Sequence, residues 1–216
     1  MRIGLNLLYM LPGVVGGTET YASGLLAGLA QIDSQNEYIV FVNQESATWH
    51  LPSAPNITSV VCPVRATNRL QRYFFEQVNL PRLLKQQRID CVHSLGYVAP
   101  LFPPCASIVT VHDLNHRVFG DRMPIVRKWA LEFFVKQSVQ HANHVITVSE
   151  FSRREILSTL GVSSGKLTAI LEAPCSTTVT PIDLMVLLQR YEISKPYVIA
   201  FSSSSPNKNI PRLVRA

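Results

Sequence analysis

Four short stretches carry the residues whose types and spacing could do chemistry. His112 and Asp113 stand directly after the apolar run that ends at Val111, with His116 four residues on. A histidine so placed could contact a sugar or a leaving group, or be a satisfied structural ring, and Asp113 could orient it or cap the next turn. His112 and His116 share i,i+4 spacing, but a loop does not confer helical geometry and no acidic or thiol third ligand is specified, so zinc is not indicated. Gly13, Gly16, Gly17, Thr18 and Glu19 lie between a strand-like and a helix-like run. Glycines there let the backbone turn and approach a partner, while the first N–H groups of the new helix point into the loop. An anion or a sugar could sit there, or the loop could simply connect. The spacing is not that of the dinucleotide fingerprint, and no Gly-Lys-Ser/Thr follows. Leu95-Gly96-Tyr97 and Ser149-Glu150 complete the set. Ser149 lacks a G-x-S-x-G context and reads as a helix N-cap.

The elements that must position these groups alternate. Apolar runs at 2–10, 37–42, 57–62, 90–94, 107–111, 143–148 and 167–171 read as strands. Helical spacing is expected over 18–32, with Thr18 as N-cap, over much of 68–87 with a break or kink near Pro81, over 125–141, and from Ser149 to a stop by Gly161. This rhythm predicts an α/β fold with a doubly wound parallel sheet. In such a sheet the loops at the carboxyl ends of the strands gather along one rim, where ligands bind, so the four polar crossings should converge. His141 and His144 straddle a helix end and a strand start and read as structural.

Composition narrows the function classes. The chain has 216 residues, 47% hydrophobic and 16% charged, enough to bury a substantial core. Its 20 basic and 14 acidic residues leave a charge of +6, spread along the chain rather than concentrated on one face. That favours an acidic small-molecule partner or an anionic surface over nucleic acid. Cys62 and Cys91 fall in strand-like runs where reduced thiols are usually buried, and a reducing compartment is the simpler case. No signal-peptide pattern opens the chain, and no apolar run approaches the roughly 20 residues that span a bilayer. Peripheral membrane contact stays open.

Taken together, the motifs resemble the N-terminal half of a retaining GT-B glycosyltransferase of family 4, the group 1 glycosyltransferases. Gly16-Gly17-Thr18-Glu19 resembles its acceptor-side glycine loop, and Phe75-Glu76-Gln77 with Leu80-Pro81 a helix signature of its bacterial polysaccharide members. Val92-His93-Ser94 with Tyr97-Val98-Ala99-Pro100 resembles the following strand and loop, and Val111-His112-Asp113-Leu114 the family's histidine motif. Val148-Ser149-Glu150-Phe151-Ser152 is similar to its next crossing. Lys195 to Phe201 with Pro206-Asn207-Lys208-Asn209 resembles the first strand and basic loop of the donor domain.

The resemblance implies a Rossmann-like acceptor-side domain over 1–175, a linker over 176–194 and the start of a nucleotide-sugar domain over 195–216. It implies transfer of a sugar from a nucleotide diphosphate sugar to a glycan or lipid-linked acceptor in polysaccharide biosynthesis. His112 would be catalytic, Gly16, Gly17, Thr18 and Glu19 would meet the acceptor or diphosphate, and Tyr97, Asp113, Ser149 and Glu150 would support them. Lys208 would neutralise the departing diphosphate, with no metal and no cofactor. The expected setting is cytoplasmic, or peripheral at the inner face of the membrane, and a homo-oligomer is left open. Glu172-Ala173-Pro174-Cys175 replaces the family's Asn-Gly-Val-type turn, and Ser203 stands where many members have arginine. Most of the donor domain lies beyond these residues, so the chain is expected to be a truncated product, inactive by itself. The alternative is a non-catalytic carbohydrate-binding or regulatory remnant.

Overall fold

The computed structural model describes residues 1–118, 124–174, 184–194, 196–201 and 208–216. They divide into two compact units, Met1–Ala173 and Pro174–Ala216. The first is built on β1 (Arg2–Leu7), β2 (Glu37–Val42), β3 (Ile57–Val61), β4 (Cys91–Ser94), β5 (Ala106–Thr110), β6 (His144–Thr147) and β7 (Leu167–Ala169). These form one seven-stranded sheet in the order β3-β2-β1-β4-β5-β6-β7. Every neighbouring pair is parallel. Each expected strand of this unit is present. The order reverses between β1 and β4, which pair from Ile3↔Cys91 to Asn6↔Ser94.

Parallel strands need long crossovers, and helices supply most of them. They are α1 (Gly17–Ile32), α2 (Arg69–Phe74), α3 (Leu80–Gln86), α4 (Asn115–Val118), α5 (Ile125–His141) and α6 (Glu150–Leu160). Alternate strand residues feed different layers. Leu5, Leu7, Val40 and Val42 pack on Ala22 and Leu26 of α1. Their neighbours Ile39, Phe41 and Val92 pack on Leu80 and Leu84 of α3. Val109, Val111 and Val145 pack on Val135 and Val139 of α5 and on Ile156 and Leu160 of α6. With both faces covered, β2 is apolar from Tyr38 to Val42 and all five residues are buried.

Two details depart from expectation. The N-cap of α1 is Gly16, at φ 65°, with no side-chain cap. Thr18 instead lies inside the helix, its hydroxyl donating to Val15 O over 3.3 Å. The 68–87 segment does not break at Pro81, because a π-helical turn over Phe75–Asn79 joins α2 to α3. There Leu80 N–H reaches back to Phe75 O, and the wider turn absorbs the donor that Pro81 lacks. The second unit holds α7 (Leu184–Arg190) and α8 (Ile210–Arg215). Tyr197 to Phe201 has strand composition but is expected to find no sheet to join and to leave its apolar side chains poorly buried; it joins no sheet among the described residues, and Val198, Ile199 and Phe201 are 83, 76 and 91% exposed. A strand needs a ladder partner and a face to bury, and the described residues of this unit offer neither. No helix among the described residues is long and apolar enough to cross a membrane.

Candidate functional site

The site grows from the point where the strand order reverses. Asn6, 2% exposed at the end of β1, donates from Nδ2 to Ser94 Oγ on β4 over 3.2 Å, while its Oδ1 accepts from Leu8 N–H at 3.1 Å. One side chain thus clasps the two central strands and sets the exit of the glycine loop. Asn43, fully buried past β2, holds the same exit from the other side by donating to Leu8 O at 3.0 Å and Met10 O at 2.6 Å. Ser46 Oγ adds a bond to Met10 O at 3.0 Å.

Above this base the loop is exposed and braced from within. Gly13 N–H donates to Glu19 Oε2 at 2.7 Å, and Gly13 and Gly16 sit at φ 72° and 65°, a region costly for other residues. Gly17 and Thr18 at the head of α1 donate their N–H groups to no acceptor among the described residues, as helix starts do. Tyr9 reaches over to donate its hydroxyl to Thr18 O at 3.2 Å. Its ring packs against Gly96, where an added Cβ would come within 2.0 Å of Tyr9 Cδ1. Burial raises the Tyr9 phenol well above its ordinary range.

His112 stands at the centre. The ring is 8% exposed, and Nε2–H donates to Leu95 O over 3.1 Å. Nδ1 faces Glu172 Oε1 at 3.4 Å, an ion pair whenever Nδ1 carries a proton. Tyr21, one turn into α1, meets the imidazole edge-on at 4.8 Å, and Tyr97 lies 5.7 Å away. Tyr97 is held at φ 66°, an uncommon conformation for a bulky residue, and its N–H donates to Thr110 O. Burial, then the charge of Asp113, raises the Tyr97 phenol above its usual range. Thr110 bonds His93 Nε2 at 2.7 Å and meets the Tyr21 hydroxyl. Burial first, and the nearby His112 second, push the His93 ring down to about 4, so it is neutral at pH 7.

Asp113 caps the next turn, accepting Asn115 N–H at 3.0 Å and Asn115 Nδ2 at 2.8 Å. Ser149 is the N-cap of α6 through Ser152 N–H at 3.0 Å, and Ser152 Oγ donates to His112 O at 3.0 Å, tying that helix to the histidine. Glu150 is exposed and lies 3.7 Å from Arg153. Beneath the rim the π-turn delivers Glu76, 1% exposed, to Asn6 and to within 3.8 Å of Arg72 Nη1. Glu76 Oε2 and Arg72 Nε have no hydrogen-bond partner among the described residues. Burial raises the Glu76 carboxyl, opposed by Arg72 and by the bond to Asn6. Among the described residues no three His, Cys, Asp or Glu side chains gather to hold a metal ion.

Residues 15–171 match the family model described as Glycosyltransferase Family 4, well over half of the chain. The chain belongs to glycosyltransferase family 4. It is 28% identical over 172 residues to the O-antigen chain mannosyltransferase RfbU of Salmonella typhimurium, covering 79% of this chain and 45% of that protein. It is 26% identical over 113 residues to O-antigen chain mannosyltransferase B of Escherichia coli, covering 51% of this chain and 30% of that protein. The chain therefore spans less than half the length of these curated relatives. The lipopolysaccharide outer core galactosyltransferase WaaB, in its apo form, superimposes with a TM-score of 0.55 at 14% identity, over 83% of this chain and 48% of that one. That likeness shows the GT-B-type fold of the matched residues.

In this family 4 chain the crossings singled out by sequence meet around one histidine. Tyr21 brings the head of α1 to His112, Tyr97 brings the loop after β4, and Ser152 brings α6. Lys208 is exposed and belongs to the second unit. Sequence reasoning missed Tyr9, Tyr21, His93, Thr110 and Asn43, which are ordinary core-type residues until the loops close. It met Glu172 only as a departure from a turn pattern, without seeing that its carboxylate reaches His112. The signal for Glu172 was its place just past the last strand, on the same rim.

Proposed function

We propose that this chain is the acceptor-side part of a retaining glycosyltransferase. It would transfer a hexose or deoxyhexose from a nucleotide diphosphate sugar to a glycan or lipid-linked acceptor during polysaccharide biosynthesis. The observation that carries the reading is the bond from His112 Nε2–H to Leu95 O, at the strand-order reversal of a family 4 chain. With that proton committed, the imidazole acts by fixing a carbonyl dipole at the rim, where it can face the positive charge of an oxocarbenium-like transition state. The names of the two O-antigen mannosyltransferases support a polysaccharide setting.

In this reading residues 1–175 hold the acceptor and 195–216 open the donor domain, with 176–194 between them. Gly16 and Gly17 offer backbone N–H groups to the diphosphate or acceptor, and Glu19 keeps the loop shut upon itself. Lys208 supplies a counter-charge for phosphate oxygens. The departing phosphate oxygen takes the acceptor proton, so the bond to the leaving group breaks and the new glycosidic bond forms on the same face.

The test uses the intact polypeptide that carries these residues. His112→Ala should lower turnover at least tenfold while nucleotide Kd stays within a few-fold. Because the ring is buried against two tyrosines, the alanine should also cost about 1–3 kcal/mol of stability, so His112→Asn is assayed beside it. Wild-type turnover in both variants would sink the catalytic role. Product with inverted anomeric configuration, read by NMR, would sink retention.

A further inference from the structure

Phe75-Glu76-Gln77, the stretch that opens the π-turn, touches both walls of the rim. In an α-helix successive side chains point about 100° apart, and a π-turn, with its i→i+5 bonds, rotates them by less. Glu76 and Gln77 are thereby presented nearly side by side, and each meets a different loop. Glu76, 1% exposed, reaches Asn6, whose Oδ1 accepts from Leu8 N–H at 3.1 Å and so sets the exit of the glycine loop. Gln77 clamps the loop after β4 with both ends of its amide: Nε2 donates to Ala99 O at 3.1 Å, and Oε1 accepts from Leu101 N–H at 2.9 Å. From the other side Ser138 Oγ of α5, fully buried, accepts Ala99 N–H at 2.9 Å. Ala99 is held between two helical elements.

Little chain separates these anchors from His112. Back from Ala99, Val98 N–H donates to Gly96 O at 2.7 Å and Tyr97 N–H to Thr110 O at 3.2 Å, and next comes Leu95, whose carbonyl takes the His112 ring. Forward from Asn6 the chain reaches Tyr9, whose ring packs against Gly96. The two arms therefore meet at Gly96. So tight a path leaves no slack, and a displacement at Ala99 or at Asn6 passes to the groups around the histidine. We propose that Glu76 and Gln77 are paired positioning residues of the transfer site, which together fix the gap between the glycine loop and the Leu95 carbonyl. π-turns recur at functional sites, and a misplacement of about 1 Å there can cost ~100-fold in rate. The effect on turnover rests on the transferase reading; the coupling of the two loops does not.

Gln77→Met keeps the length of the side chain and removes both amide bonds. Leu83→Ala, which thins the apolar cluster beneath α3 without removing a hydrogen bond, is the control for lost stability. In the NMR spectrum of the intact polypeptide, the imidazole signal of His112 is the one lost in His112→Asn. Gln77→Met should move that signal and raise amide exchange at Leu101 at least tenfold. Glu76→Gln should move it too, raising exchange at Leu8 instead, and Leu83→Ala should do neither. With a panel of UDP-, GDP- and dTDP-sugars as donors, turnover of Gln77→Met should fall at least tenfold below that of Leu83→Ala, with nucleotide Kd within a few-fold. A His112 signal that stays in place in either variant, or that moves as far in Leu83→Ala, overturns the inference. So does turnover no lower than in Leu83→Ala. If the wild type transfers sugar from none of these donors, the transferase reading falls, and the His112 signal alone decides the coupling.

Discussion

His112 and His93 share one wall of the site, and their surroundings give them different work. His112 has both ring nitrogens engaged, by Leu95 O and by Glu172. Glu172 is about half exposed, so its ion pair should contribute under ~1 kcal/mol, and Glu172→Gln should melt close to wild type. Turnover of the intact polypeptide should nonetheless fall roughly tenfold or more if that carboxylate holds the ring in place, and unchanged turnover would remove Glu172 from the site. His93 provides the pH test. Its folded value of about 4 lies below the unfolded value near 6.5, so its contribution to stability is full above that value and is lost as pH falls from 6.5 towards 4. Melting temperature should drop through that window, and His93→Gln should flatten the curve. An unaltered curve would show that other groups set the acid limit. The position of His112 on the rim was legible from its place after a strand, but the contacts of Glu172 and His93 were not. Both depend on which atoms come into contact once distant segments pack, and no spacing along the chain encodes that.

At the level of elements, the loops are shaped by contacts from outside themselves. Gly96 is glycine because the Tyr9 ring occupies the space of a Cβ. Gly96→Ala should displace that ring, break its bond to Thr18 O, and cost about 1–3 kcal/mol. In the double variant with Tyr9→Ala the two losses should be less than additive, by ~0.5 kcal/mol or more, and strict additivity in a double-mutant cycle would refute the contact. The α2–π–α3 rod makes the second case. Pro81 announced a disturbance, and the apolar stripe announced a helix. The π-turn reconciles them and turns Glu76 inward to Arg72 and Asn6. Glu76→Ala should cost about 3–5 kcal/mol by leaving Arg72 unpaired in the core, whereas Glu76→Leu with Arg72→Met should recover much of it. A Glu76→Ala protein that melts like wild type would mean the pair is not buried in solution. Thr18 illustrates the opposite limit of local reasoning: its residue type suits a cap, but the positive φ that Gly16 can adopt starts the helix two residues earlier.

Across the whole molecule, the sheet and its three apolar clusters lie within Met1–Ala173. A polypeptide ending at residue 173 should therefore melt cooperatively within a few degrees of the 216-residue chain. A fall of more than about 10 °C, well beyond the ~2–4 °C that 1 kcal/mol moves a domain of this size, would show that the second unit is needed for the core. The parallel architecture was written in the chain, because buried strands must be continuously apolar and crossovers must show helical periodicity, and both patterns are local. Capping of α6 by Ser149 and its end at Gly161, in the left-handed region, were local too. What the chain could not show was strand order, and with it the reversal between β1 and β4 that brings Asn6 to Ser94 and Tyr21 to His112. Tyr197 to Phe201 shows the same dependence on neighbours. Its five residues have strand composition, but composition gives only the propensity to pair. Whether a strand forms depends on a neighbour that can accept its hydrogen bonds and a face that can cover its side chains, and both are supplied only by tertiary structure.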